Sequence, residues 1–161
     1  SSDVCSSDLA GVQTVAGTTI GIVAGQPATF NQAGYAALTY ANIGEITDGG
    51  EHGKTFAEVT HMPIDTRGTQ KFKGSYNLGN KTLQLAIDDA DPGQIVVKAA
   101  LESDNDYSFK VEYQDGAIDY FQAKVMSFSK AATSVDSIRS ATVTLALTTT
   151  KTGIGIIEVG A

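Results

Sequence analysis

Histidine is the first residue type to consider for chemistry, because imidazole binds metals and transfers protons near neutral pH. The 161-residue chain has two, His52 and His61. Their separation of nine residues fits neither the HxxxH nor the HExxH spacing of zinc enzymes, and the single cysteine, Cys5, is far away in the sequence. The pattern predicts no metal centre, with His52 exposed in a loop and His61 in a strand.

Three aspartates, Asp88, Asp89 and Asp91, could begin a calcium-binding loop. An EF-hand loop starting at Asp89 needs glycine at its sixth position and glutamate at its twelfth, where this chain has Gln94 and Ala100. We therefore interpret the three aspartates as the acidic entry to a helix, where negative charge is favoured by the helix dipole.

Covalent catalysis and glycoside hydrolysis have no clear signature. The chain contains no GxSxG motif, and its one cysteine lies near the N-terminus. Glutamates that could pair as acid and base are scattered, and the absence of tryptophan removes the usual stacking platform for sugars. The sequence predicts no enzyme, no catalytic residue and no cofactor.

The first nine residues, SSDVCSSDL, do not fit a folded domain or a signal peptide, since they lack an initiating methionine, a basic region and an apolar stretch. They resemble the in-frame translation of a sequencing adapter; a disordered native Ser/Asp segment is the alternative. We expect 1–9 to be non-native or disordered, the native N-terminus to be missing, and 10–161 to form a single β domain.

Composition excludes further classes of protein. The net charge is -7, with 18 acidic and 11 basic residues, so a protein that grips nucleic acid through its phosphates is not expected. No run of about 18 apolar residues is available for a membrane anchor. Residues 81–120 hold nine acids and three bases, which concentrates the negative charge there.

Most of the chain alternates apolar and polar residues with the period of a β-strand. Residues 71–76 and 82–87 predict a hairpin through the turn 77–80, with Phe72 and Tyr76 facing inward. A second hairpin is predicted where 107–113 and 117–128 flank Asp115-Gly116, and 140–148 forms another strand. We expect a mostly β fold, a two-sheet sandwich or barrel of about seven to nine strands with one packed helix.

The packed helix has a clear start signal. Asp91 is a typical N-cap, Pro92 suits the first helical position, and Gln94 stands three residues after the cap. A shorter helical turn is predicted after Asn31. The apolar stripe predicted to pack against a sheet consists of Ile95, Val96, Ala99 and Ala100.

Several motifs together resemble the major tail tube proteins of long, non-contractile-tailed bacteriophages. They begin with IGEITD at 43–48, KGSYN at 73–77 and LQLA at 83–86, and continue with DPGQ at 91–94 and YSFKV at 107–111. Further matches are KVMSF at 124–128, SVD at 134–136 and ATVTL at 141–145. The similarity extends over residues 16–149, and its specificity comes from the order and spacing of motifs that are individually weak.

This resemblance implies a structural virion protein: six copies form a ring, and rings stack into a hollow tail tube through which DNA passes without sequence-specific binding. It implies self-association, contacts with a tape measure protein and a tail terminator, and assembly in the host cytoplasm. Flexible tips are candidates for contacts between rings or subunits, namely Asp48, Gly49, Gly50, Glu51, His52, Ser134 and Asp136. Candidates for an acidic lumen or surface patch are Asp88, Asp89, Asp91, Glu102, Asp104 and Asp106.

Two alternatives remain at this point. One is a tube-forming subunit of a secretion or injection apparatus that shares the fold. The other is a monomeric β-sandwich binding module.

Overall fold

The computed structural model describes residue 12 and residues 14–132 and 134–160; the segment 1–9 discussed above lies outside them. These residues form ten strands and two helices. The strands are β1 (Thr19–Ala24), β2 (Ala41–Asn42), β3 (Ile46–Asp48), β4 (Thr55–His61), β5 (Gln70–Asn77), β6 (Asn80–Ala86), β7 (Tyr107–Glu112), β8 (Ile118–Ala131), β9 (Ser140–Thr148) and β10 (Ile157–Val159), and the helices are α1 (Gln32–Ala36) and α2 (Pro92–Leu101).

Eight of the strands form one antiparallel sheet that curls into a half-barrel, in the order β2-β1-β7-β8-β9-β6-β3. β10 pairs with the first residues of β8, next to the end of β9. β4 and β5 form a separate two-stranded sheet. The mostly β fold with two sheets and a packed helix is thus confirmed, and the strands beyond the expected number are short ones such as β2, β3 and β10.

The prediction of the β7–β8 hairpin is confirmed, because alternation and turn chemistry agree there. The two strands pair from Tyr107 opposite Ala123 to Glu112 opposite Ile118. Gly116 has φ +96°, a left-handed conformation that glycine adopts without strain. β9 likewise occupies the predicted residues, with alternate side chains buried.

The predicted hairpin between 71–76 and 82–87 is wrong. β5 pairs with β4, whereas β6 pairs with β9 and β3 in the large sheet. The turn residues between β5 and β6 carry the chain from one sheet to the other, and Leu78 is buried at this crossing. Phe72 does not face inward: it is 54% exposed. Tyr76 is half-buried, and its hydroxyl donates to the carbonyl of Gly153 at 2.6 Å.

The main core lies on the face of the large sheet that α2 covers. Phe109 and Phe121 are fully buried, with stacked rings whose centroids are 5.4 Å apart. Leu83 and Leu85 of β6 are also fully buried, as their alternation predicted. Val97 of α2 packs into the same cluster, so the helix closes this side of the sheet.

α2 begins as predicted, but its buried face differs from the expected stripe. Asp91 caps the helix by accepting from the backbone N–H of Gln94 at 3.0 Å. The Gln94 side chain is fully buried, accepts from the N–H of Asp88 and donates to two carbonyls, which ties the helix to the end of β6. Because this polar contact fixes the helix rotation, Val97 faces the core and Ile95 is 52% exposed. Of the predicted stripe, Ala100 is buried, Val96 packs partly against the core and Ala99 is exposed.

A smaller buried layer lies on the other face of the sheet, under α1. The helix is capped by Asn31, as predicted, and it buries Tyr35 completely. The Tyr35 ring stacks on Tyr120 of β8 at 5.2 Å, and its hydroxyl accepts from Gln122 at 3.2 Å. α1 thus covers the sheet face opposite to the one that α2 covers.

Candidate self-assembly surface

Residues 54–77, which we call the arm, contain no buried residue. Every residue of β4 is exposed, and β5 is exposed except for Gly74 and Tyr76. In the described chain, β4 and β5 form ladders only with each other, so both outer edges of the hairpin are unpaired. Unpaired edges are ready to add further strands.

The arm has an apolar face that its own fold does not cover. Val59 stands opposite Phe72, and these side chains are 51% and 54% exposed. At the end of the hairpin, Met62 and Ile64 are 70% and 100% exposed. Five of the eleven large apolar side chains exposed in the described residues lie in the arm, the fifth being Phe56. Such concentrations are typical of interaction surfaces.

The polar face of the arm is cationic. Glu58 stands opposite Lys73, and Thr60 opposite Lys71. The Lys54 ammonium lies 4.5 Å from the centre of the Tyr76 ring, a cation–π contact at the base of the hairpin. With two acids against four bases, the arm has a net charge of +2 in a chain whose total is -7. The remainder of the chain therefore carries -9.

His52 anchors the segment that leads into the arm, and its predicted exposure is wrong. The side chain is only 9% exposed, and its ring lies 5.6 Å from that of Phe121. Nε2 is 2.8 Å from the Asp119 carboxylate, and Nδ1 is 3.0 Å from the Lys81 ammonium. Because an ammonium only donates, Nδ1 accepts from Lys81, and the proton on Nε2 is donated to Asp119. Sequence spacing gave no sign of this group, since its members come from a loop and two separate strands.

Burial shifts the pKa values of two side chains in this group, Lys81 beside His52 and Tyr113 beside Asp119. Lys81 is 2% exposed, and burial lowers the pKa of its amine to about 8, against the raising effect of Asp119 and nearby carboxylates. Burial, together with a hydrogen bond to Asp119, raises the pKa of Tyr113 to about 12. Within the described residues, no group of three or more His, Cys, Asp or Glu side chains is arranged to hold a metal ion.

The two predicted sets of loop residues lie at opposite ends of β6. Asp48 ends β3, and the following glycines and Glu51 lead to His52, beside Lys81 at the start of β6. Ser134 and Asp136 are exposed in the loop before β9, where the carbonyl of nearby Arg139 accepts from the N–H of Ile87, just after β6. Lys81 and Ile87, which mark these two ends, are about 20 Å apart along the strand.

The six predicted acidic residues do not form one patch. Asp88, Asp89 and Asp91 lie at the start of α2, and the other three, Glu102, Asp104 and Asp106, follow its end about 15 Å away.

Four of these six carboxylates have partners within the chain, and the first, Asp88, accepts from the backbone N–H of Ala90 at 3.1 Å. Asp91 is the helix cap, and Asp106 pairs with Lys124. Asp89 accepts from Lys98 at 2.9 Å, and this hydrogen bond, with the positive charge of Lys98, holds the pKa of Asp89 below its usual value. Glu102 and Asp104 are exposed and form no ion pair with any described residue.

The fold is similar to those of solved tube assemblies. A chain of the SPP1 tail tube superimposes with a TM-score of 0.60 at 13% identity, covering 92% of this chain and 80% of that chain. A chain from the sheath–tube complex of PVC, an extracellular contractile injection system, gives 0.62 at 10% identity, covering 100% and 99%. A chain of the anti-feeding prophage baseplate gives 0.62 at 10% identity, covering 93% and 97%. These likenesses show a shared fold.

Residues 25–153 match the family described as the lambda phage tail tube protein, TTP. The match covers most of the chain, so the chain belongs to this family, which confirms the resemblance seen in the sequence. It is a structural component of the phage tail in the virion, not an enzyme. No curated protein sequence matches it significantly. None of the described helices is long and apolar enough to cross a membrane.

Proposed function

We propose that this chain forms hexameric rings, and that the rings stack into a hollow tube through which DNA passes. Membership of the tail tube family supports the tube. The observation that carries self-assembly is the arm, because its apolar face and strand edges remain uncovered within one copy.

An isolated two-stranded hairpin is marginally stable in water, and one with an exposed apolar face is also prone to association. A second copy that covers Val59 and Phe72 would remove both difficulties. The opposite charges of the arm and of the remainder of the chain favour contact between the arm of one copy and the body of another. Such a contact is heterologous, so it closes a ring or propagates along a stack.

The test is a substitution on the exposed apolar face of the arm. Phe72→Asp should abolish tubes seen by negative-stain electron microscopy and leave a smaller, folded species in analytical ultracentrifugation. Phe72→Leu keeps the apolar character and should retain tubes. Tubes of normal length from the Phe72→Asp protein would contradict the role of the arm. Wild-type protein that stays monomeric at high concentration would contradict the tube and favour a binding module.

Passage of DNA is the finer part of the proposal. Exposed carboxylates on the lumen would repel phosphates, so DNA would slide without being held. Glu102 and Asp104 are the best candidates among the predicted acids, because both are exposed and neither carboxylate has an ion-pair or hydrogen-bond partner among the described residues, whereas Asp88 and Asp91 accept from backbone N–H groups. Replacing both by lysine should slow DNA ejection and leave tube assembly intact, whereas Asp115→Lys, in the exposed β7–β8 turn, is the control. Unchanged ejection in the double variant would contradict an acidic lumen at these residues.

A tube for an injection apparatus is the second candidate, favoured by the similarity to the PVC and anti-feeding prophage chains. The neighbouring genes distinguish the two. Capsid and tape measure genes support a phage tail with a tape measure and a terminator as partners, and sheath and secretion genes support an injection tube.

A further inference from the structure

His52 attaches a short segment to the large sheet, and we call this segment, residues 50–53 between β3 and the arm, the linker. Among the described residues, the linker forms no backbone hydrogen bond to another element, and the N–H of Gly50 donates to the Asp48 carboxylate just before it. The backbone of Gly50 rests against β6. The polar contacts of the linker with the sheet are thus those of the His52 ring.

The two nitrogens of the His52 ring have different roles in this attachment. Nε2 donates to Asp119 of β8, and Nδ1 accepts from the ammonium of Lys81 on β6. An imidazolium has a proton on both nitrogens, so it can no longer accept from Lys81. Protonation of His52 therefore replaces this hydrogen bond by repulsion between two cations whose nitrogens are 3.0 Å apart.

Lys81 stays charged in the range where histidine gains a proton. The charge of histidine ordinarily changes between about pH 5 and 8. Burial lowers the pKa of the Lys81 amine to about 8, so this amine is protonated at pH 7 and below. The other titratable groups around the cleft that contains the pair are Asp119 of β8, Tyr113 after β7, Glu158 of β10, Asp48 and Glu51 at the linker, and Lys54 at the base of the arm.

Most of these groups do not compensate a second cation beside Lys81. Asp48, Glu51 and Glu158 are exposed to water, and the Lys54 ammonium lies over the Tyr76 ring. The charges enclosed with the His52 ring are then the Lys81 ammonium and the Asp119 carboxylate, which balance while the ring is neutral. A proton on His52 adds an uncompensated positive charge, which is costly away from water.

The linker is the part of this group that can move. Lys81 and Asp119 lie on strands that pair with their neighbours in the large sheet, whereas residues 50–53 belong to no strand. Moving the His52 ring into solvent leaves Lys81 and Asp119 as an opposite pair and removes the excess charge.

We propose that protonation of His52 is a switch that detaches the linker from the large sheet. At neutral and higher pH the uncharged ring holds the linker on Lys81 and Asp119. In mildly acidic solution the imidazolium leaves this site, and the base of the arm is freed. The cleft, of about 860 Å³, gives water access to the ring. The switch operates within one copy, so it does not depend on the proposed assembly.

Limited proteolysis of dilute protein tests the switch, because cleavage requires that a segment leave the surface of the fold. Glutamyl endopeptidase cuts after Glu51 in the linker. Lys81→Met removes the second cation, so its linker should stay attached when His52 is protonated. Wild type and Lys81→Met should be cut after Glu51 at equal rates at pH 7.5, and the wild type about ten-fold faster at pH 5.5.

Two further variants complete the test. His52→Gln can accept from Lys81 and donate to Asp119 but does not titrate, so it should be cut slowly at both pH values. His61→Gln, in the exposed strand β4, is the matched control and should be cut like the wild type. Equal cleavage of the wild type and Lys81→Met at pH 5.5 would overturn the switch. This comparison decides even if the His52→Gln linker is cut fast at both pH values.

Failure of the switch and failure of tube assembly are distinguishable. A wild-type protein that forms no tubes at either pH would contradict the proposed function and leave the cleavage result unchanged. If tubes form, the wild type should need several-fold more protein at pH 5.5 than at pH 7.5, and Lys81→Met should not show this increase.

Discussion

The arm and the remainder of the chain, the body, differ in how their folds are stabilised. The body buries a continuous apolar cluster between the curled sheet and α2, together with a smaller layer under α1. None of the arm's side chains belongs to the buried core, and its strands pair only with each other within the described residues. The body therefore has a core of its own, whereas in the assembly we propose the arm would gain its burial from another copy.

The arm and the body also differ in net charge. The arm has four bases and two acids, and the body carries a net charge of -9. In the proposed assembly, repulsion between acidic bodies opposes contact between copies, and the cationic arm offsets it where two copies meet. The proposed association would thus depend on a small part of the chain that contributes little to the stability of the free protein.

The largest expected effect is on the free energy of unfolding of the free protein, which a substitution in the body should lower far more than one in the arm. Phe121→Ala should lower the free energy of unfolding by about 3–5 kcal/mol, because it opens a cavity beside Phe109 in the core. Phe72→Ala should change it by less than about 0.5 kcal/mol, since Phe72 is 54% exposed. Urea denaturation of dilute protein measures both. Equal losses would remove the distinction between arm and body.

This difference also explains which structural features the sequence could predict. β9 and the β7–β8 hairpin follow from local alternation and a turn, and the start of α2 follows from Asp91 and Pro92. Phe72 obeys the same alternation, yet it lies on an exposed face. Alternation with a period of two predicts that one face of a strand is apolar. It does not show whether the chain's own core or another molecule covers that face.

The wrong predictions of the β5–β6 hairpin and of an exposed His52 have a common cause, since both depend on residues that are distant in the sequence. β6 pairs with β9, whose residues are about sixty positions away, so no local turn signal indicates its partner. His52 lies in a glycine-rich segment that is typical of exposed loops. Its burial depends on Lys81 and Asp119, which come from two other strands.

A second, smaller effect is the pH dependence of the free energy of unfolding, which should come from the body and not from the arm. The lowered pKa of Lys81, about 8 against 10.5 for an ordinary lysine, means that the unfolded chain binds more protons than the folded one between these values. Stability should therefore rise with pH in this window, by about 1–2 kcal/mol from pH 7.5 to 9.5. Urea denaturation at the two pH values measures it. Lys81→Met should remove the rise, and Lys71→Met in the exposed arm should not; a rise that persists in Lys81→Met would contradict this assignment.

The smallest effect concerns salt and assembly. If opposite charges of arm and body help the copies associate, raising the salt from 0.1 to 1 M shortens the screening length from about 10 to 3 Å and should raise the critical concentration for tube formation a few-fold. Sedimentation of tubes measures that concentration. The apolar face should keep some assembly at high salt, so complete insensitivity to salt would show that charge contributes nothing.

Gly50 sets the direction in which the arm leaves the body. Its φ is +66°, and a Cβ atom there would lie 2.1 Å from the carbonyl oxygen of Thr82 on β6, so the segment before the arm rests directly on the sheet. Any larger residue would lift that segment and tilt the arm by a small angle. In one copy such a tilt is negligible, but in a stack the tilts of successive copies add up. The straightness of a long tube would then depend on a hydrogen atom in place of a methyl group.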